Sequence, residues 1–193
     1  LMSILHPNPK LPIWLGTGTE ANVKMTAEIA DGWLPLGLVP GNWKLYQGWV
    51  EAGFARAGNG KSWQDFEIQA SSTVILTDDV RGALARIKPR VALYVGGMGH
   101  RNINFHSQMM VRRGYADAAA RIQELYLAGR KAEAADAVPD EFVDDGALVG
   151  PVARIRERFK EWTQIPVTGL TINGDAPGTL ELMAEIAGLR APA

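Results

Sequence analysis

The sequence predicts an α/β fold, a parallel sheet whose strands are joined by crossover helices. Three observations predict it. Short strand-like segments alternate with helix-patterned ones four times along the 193 residues, the order that produces parallel strands. The segment Phe66–Leu76 alternates with period two, placing Phe66, Ile68, Ala70, Ser72, Val74 and Leu76 on one face and Glu67, Gln69, Ser71, Thr73 and Ile75 on the other. The composition, 47% hydrophobic and 21% charged, is that of a chain with one sizeable core. No linker or low-complexity stretch divides it, so residues 1–193 are expected to form a single domain.

In order, strands are expected at Pro12–Leu15, Trp33–Leu36, Phe66–Leu76 and Val167–Asn173. The helix after the first, Glu20–Ala30, has Val23, Ala27 and Ala30 at i, i+4, i+7. Trp43–Ala57 follows the second strand and Thr179–Gly188 the fourth. A helical tract from Asp78 to about Val143 follows the third. Pro89 should end or kink its first helix, and YVGGMGHRN reads as a loop by composition. Further helices are expected at Ile103–Arg113 and at Tyr115–Ala137, the latter broken at Gly129. Pro139–Asp145 has the proline and acidic residues of a helix first turn, and Pro151 opens the next helix. Four such units fit a small doubly wound sheet or half of an eight-stranded barrel.

Composition also excludes. A formal net charge of −1 gives no footprint for nucleic acid or a membrane surface. No cysteine means no disulfide and no thiolate metal site, which accords with a cytoplasmic location. No apolar run reaches the roughly 18 residues of a membrane span, and no secretory signal is visible. The opening LMSILHPNPKLP, irregular and without Met at position 1, reads as a processed start or as part of a longer chain.

The first strand runs into Gly16-Thr17-Gly18-Thr19-Glu20. Glycine lets a backbone approach a ligand, Thr17 or Thr19 can cap the following helix, and a helix N-terminus attracts anions. The dinucleotide fingerprint fails, since Ala21 stands where its third glycine belongs and Asp31 is too close for a ribose-binding acid. No G-K-[ST] follows, so there is no P-loop. A tight turn with a threonine cap and an anion site both remain open.

PIWLGTGTEANVKMTAEIADGW, with Gly16-Thr17-Gly18 ending the strand and Ala30-Asp31-Gly32-Trp33 after the helix, resembles the luciferase-like monooxygenase superfamily. The deazaflavin (coenzyme F420)-dependent oxidoreductase branch is the nearest likeness, and LYVGGMGHRNINFH, RRGYADAA, AGRKAEAADAVPDEFVDD and ALVGPVARIRERFKEW extend it along the chain. The resemblance implies the C-terminal half of a (β/α)8 barrel, with a helical insertion over about residues 96–145 before the last strand. It implies an oxidoreductase moving a hydride between coenzyme F420 and a small organic substrate. The alternatives are an FMN-dependent monooxygenase, or an inactive fragment needing its N-terminal half. By position, Gly16, Thr17, Gly18 and Thr19 would meet the coenzyme phosphate through backbone N–H groups. Glu20 departs from the family pattern beside a phosphate. The apolar Leu34-Pro35-Leu36-Gly37-Leu38 speaks against a sugar-phosphate substrate and for an apolar one. Catalytic residues are not assigned, being expected in the N-terminal half. A homodimer, or association with that half, is expected.

The resemblance also makes the loop after the third strand a candidate lid, with His100, Arg101 and Asn102 as substrate-side residues, against the plainer reading of a solvated turn. Asn173, at the end of the last strand, is a further candidate, because barrel sites lie at strand C-termini. His100 and His106, six residues apart, share no helical face and have no carboxylate to complete a metal set, so no metal is expected. Arg154–Lys160 is expected as a solvated helix face, and Glu141, Asp144 and Asp145 as helix-end charges.

Overall fold

In the computed structural model, residues 8–100, 103–174 and 176–189 are described, and they gather into two compact units. The first holds residues up to 38, then 43–70 and 166–170; the second holds 39–42, 71–165 and from 171 onward.

In the first unit, β1 (Trp14–Thr17) runs parallel to β2 (Gly32–Pro35), with Trp14 opposite Gly32 and Thr17 opposite Pro35. The start of β3 (Glu67–Leu76) continues the sheet in parallel, Gly32 opposite Glu67 and Trp33 opposite Ile68. Alternate residues of β3 face its two neighbours. Glu67 donates its N–H to Asp31, whereas Ile68 bonds Thr168 with both its N–H and its carbonyl, just before β5 (Gly169–Asn173). The alternation of β3 is as expected: Phe66, Ile68, Ala70, Ser72 and Val74 are buried, and the polar face is exposed or half-buried.

Helices α1 (Glu20–Ile29) and α2 (Trp43–Ala57) pack on one another and on the buried sheet face, around Val23, Ala27, Trp33, Tyr46 and Val50. Two glycines allow close approaches, Gly53 between the helices and Gly32 between the strands. A methyl on Gly53 would lie 2.3 Å from the Lys24 carbonyl, and one on Gly32 would lie 2.4 Å from the Trp14 ring. Trp33 and Tyr46 meet at a tilt with ring centres 5.3 Å apart, and Phe54 meets both Trp63 (5.0 Å) and Phe66 (5.4 Å) edge-on.

In the second unit, the end of β3 pairs in parallel with β4 (Ala147–Gly150). This strand is absent from the sequence reading. Its four residues are all buried, so they carry no alternation to betray it. Around it stand α3 (Val80–Ala92), α4 (Phe105–Arg112), α5 (Ala116–Leu127), α6 (Lys131–Asp136), α7 (Asp140–Asp145), α8 (Val152–Thr163) and α9 (Thr179–Ile186). The apolar faces of α3 to α7 close over Ala83, Met110, Ile122, Val138 and Val149.

Three expectations are corrected here. Of the end or kink expected at Pro89, the end is not seen, since α3 passes through it to Ala92. Both Pro89 and Ala85 are exposed, so the carbonyl deprived of its partner faces water. The segment Leu93–Gly97 is a wide π-helical turn rather than loop, because Gly96 and Gly97 bring the backbone against Tyr126, within 2.5 Å of where a methyl would sit. The basic face of α8 is not simply solvated. Arg154 bonds Asp144 at 2.7 Å and the Val149 carbonyl, and Arg158 donates to the Asp144 carbonyl at 2.8 Å. Asp145 is likewise engaged by Arg113 at 2.8 Å, whose guanidinium stands 4.0 Å over the Phe142 ring.

Gly53→Ala forces a methyl onto backbone and should cost about 1–3 kcal/mol. Gly48→Ala on the same helix, with nothing within 4 Å of the added methyl, should be neutral or stabilising by up to about 1 kcal/mol. Denaturant midpoints of the two variants decide it; equal effects would mean that α1 and α2 are not in close contact at Gly53.

Candidate functional site

The turn between β1 and α1 is held by Thr17. Its carbonyl accepts two hydrogen bonds, from the Trp33 indole N–H (3.0 Å) and the Leu36 N–H (3.0 Å). Its hydroxyl lies 2.9 Å from that of Thr26, on the buried side of α1. Gly16 is exposed, and the nearest atom to a methyl built there is the Leu34 carbonyl at 4.0 Å. Gly18 is buried.

The expected threonine cap is not made. Thr19 occupies the N-cap position with extended backbone (φ −94°, ψ 153°), but its side chain forms no cap hydrogen bond. Thr17 cannot substitute, since its hydroxyl is turned to Thr26. Among the described residues, no acceptor takes the N–H groups of Gly18 and Thr19. Helix geometry leaves those of Glu20, Ala21 and Asn22 without an intrahelical partner, since the first bond back to Thr19 comes from Val23 at 2.8 Å. Five consecutive donors therefore stand at the positive end of α1. Glu20 does not oppose an anion there, because it pairs with Lys24 one turn along the helix. These residues fit a phosphate group: free backbone donors, an open glycine edge and no competing carboxylate.

The far end of α1 shows what the Asp-Gly of the motif does. Asp31 accepts the Ile13 N–H at 2.7 Å and fixes the start of β1. Lys61 donates to the Ala30 carbonyl, placing a cation at the helix C-terminus. Burial holds the Lys61 ammonium below its ordinary pKa, opposed by Asp31 and Asp65. These residues border a polar surface cavity of about 420 Å³ with Glu28, Asn59 and Gly60, and their bonds are structural.

Gly16, Thr17, Gly18 and Thr19 are thus brought together in the first unit, and Leu34 lies beside Gly16 in the ladder, 44% exposed, with Leu36 next along at 46%. His100 and Asn173 belong to the second unit. His100 is exposed, and its carbonyl accepts the Ile103 N–H at 2.9 Å. Asn173 is exposed at the end of β5. Arg101 and Asn102 lie outside the described residues. His106 stands in the first turn of α4, edge-on to Tyr94 (4.7 Å) and Phe105 (5.3 Å). The residue that sequence reasoning missed is Thr26. Its signal was a polar side chain in mid-helix on the face shared by Val23 and Ala27.

Residues 2–169 match the family model for the luciferase-like monooxygenases. A Mycobacterium tuberculosis protein named as a coenzyme F420-dependent oxidoreductase is 40% identical over 190 residues, which cover 98% of this chain and 54% of that protein. The coenzyme F420 dependent tetrahydromethanopterin reductase of Methanopyrus kandleri superposes with a TM-score of 0.67 at 21% identity, covering 92% of this chain and 49% of its own. An F420-dependent secondary alcohol dehydrogenase, solved with an F420–acetone adduct, gives 0.65 at 11% identity, covering 95% and 50%. At those identities the two structures speak for the fold alone. The chain spans about half the length of the relatives it matches, which fits half of a barrel, and its α/β class with parallel strands is the one expected.

Burial pushes the His106 imidazole below the usual histidine range. The unfolded chain therefore takes up this proton first, and stability is lost as pH falls below about 6.5. Between pH 7.5 and 5, wild type should lose more stability than His106→Gln, measured by denaturant unfolding at each pH. Parallel curves would show that His106 titrates alike in both states.

Proposed function

Because the chain belongs to the luciferase-like monooxygenase family, we propose that the intact protein is a coenzyme F420-dependent oxidoreductase acting on a small apolar organic substrate. The likeness to the mycobacterial protein, over nearly the whole chain, supports the choice of coenzyme. The observation that carries the reading is the helix start at Thr19, left uncapped although a capping residue stands there.

Bound there, the deazaflavin would supply hydride transfer at C5. The chain's own residues do the rest of what is assigned to them. The N–H groups from Gly18 to Asn22 bind the coenzyme phosphate, and Gly16 leaves the edge of β1 open for its approach. Glu20 is kept off the anion by Lys24. Leu34 and Leu36, exposed beside the turn, line the approach with apolar surface and exclude water there. That apolar surface favours an apolar substrate over a sugar phosphate. His100 and Asn173 are retained as substrate-side residues on the family likeness.

FMN also carries a phosphate, so the turn by itself does not choose between the two coenzymes. Fluorescence titration of the intact protein with each does. Coenzyme F420 should bind at least ten times more tightly than FMN; the opposite order would make the protein a flavin-dependent monooxygenase. Gly16→Val fills the open edge with a good strand former. It should weaken F420 binding at least tenfold, about 1.4 kcal/mol, without lowering the melting temperature. Unchanged affinity would remove Gly16 from the site.

A further inference from the structure

We propose that Thr26, which no ligand can reach from solvent, is a positioning residue for the coenzyme-binding turn; this rests on the reading of that turn given above. Thr26 is fully buried in the middle of α1, on the face that Val23 and Ala27 pack into the core. A valine would fill the same space without a polar group to satisfy, so the hydroxyl has to be explained by its bonds.

Those bonds fix a direction. Thr26 donates to the Asn22 carbonyl, one turn back, at 2.7 Å. A hydroxyl has a single proton, and a carbonyl can only accept. The 2.9 Å contact between the two threonine hydroxyls must therefore run from Thr17 to Thr26. The Thr17 proton points into the protein, and the Thr17 carbonyl is filled by Trp33 and Leu36. Thr17 is left with no donor for an anion. Its role is to pin the end of β1 against α1, nine residues away in sequence.

Two consequences follow. Phosphate recognition falls to the backbone N–H groups of Gly18 to Asn22, whose direction depends on where the strand end is pinned. Losing the Thr26 hydroxyl also frees the Thr17 proton and removes the tether on the helix side of the turn. The effect is specific to the phosphate, because neither threonine is offered to the deazaflavin ring.

The test compares two probes on the intact protein, coenzyme F420 and the deazaflavin riboside that lacks the phosphate. Thr26→Val should weaken F420 about tenfold and leave the riboside within twofold. Thr26→Ser, which keeps the hydroxyl, should restore F420 binding. Thr17→Val should match Thr26→Val, and the double variant should be no worse than either single one, since both remove the same bond. Melting temperatures identify any variant that has failed to fold, and Thr17→Val then stands in for Thr26→Val. Equal losses for both probes would overturn the proposal, as general damage to the fold. So would unchanged F420 binding in Thr26→Val while Gly16→Val is impaired, which leaves the phosphate site standing without its positioning residue. If wild type binds both probes equally and Gly16→Val changes nothing, the site reading itself fails, and the role of Thr26 with it.

Discussion

The first unit depends on the way Thr17 spends its polar atoms. Carbonyl and hydroxyl are both committed inward, to the Trp33 indole, the Leu36 N–H and the Thr26 hydroxyl. This ties together the end of β1, the segment leaving β2 and the middle of α1. It also decides what remains for a ligand. With Thr17 consumed and Thr19 uncapped, the donors at the start of α1 have no internal partner, so the chemistry of the turn is that of backbone N–H groups. Such a site recognises charge and shape through fixed dipoles rather than through side-chain identity.

The same economy runs through the motif after the helix. Ala30 closes α1 and receives Lys61, Asp31 holds the Ile13 N–H, Gly32 lies beneath the Trp14 ring, and Trp33 reaches back to Thr17. None of the four needs to touch a coenzyme for the run to have its function. Together they set the distance between the two ends of α1 and the sheet, and through Trp33 they set the turn. A substitution here would be felt first as packing and only then as altered binding. Gly32 shows this most directly, since any side chain would have to displace an aromatic ring rather than a flexible chain end.

Much of this was legible in the sequence, for definite reasons. The period-two run of β3 and the i, i+4, i+7 apolar positions of α1 are patterns that burial imposes on exposed and half-exposed elements, and both formed where expected. Where burial is complete, pattern vanishes, and β4 shows the consequence. Pro89 misled because its cost depends on whether the orphaned carbonyl meets water, which sequence does not state. Gly96 and Gly97 misled because glycine serves close packing as readily as loops, and only the position of Tyr126 tells the two apart. Arg154 and Arg158 read as solvated because their partner Asp144 lies across a strand that was itself not seen. At the site, the glycine turn was visible but the direction of the Thr17 hydroxyl was not, since it is fixed by a residue nine positions on.

The uncapped start of α1 is best judged against its neighbours. Thr19, Asp79 and Asn104 each stand at the N-cap of an α-helix with a side chain that can accept from the first turn. Asp79 accepts from the Gly82 N–H at 2.8 Å and Asn104 from the Ser107 N–H at 3.0 Å. The Thr19 side chain makes no cap hydrogen bond, although its extended backbone is the one a cap requires. Forgoing a cap costs about 0.5–2 kcal/mol, in a fold whose whole margin is about 5–15 kcal/mol. An anion held at this end of the helix would offset that cost by satisfying the same donors. On this view the helix start is a deficit that a bound anion would complete, and the stabilisation and the affinity of that anion would be one free energy observed in two ways.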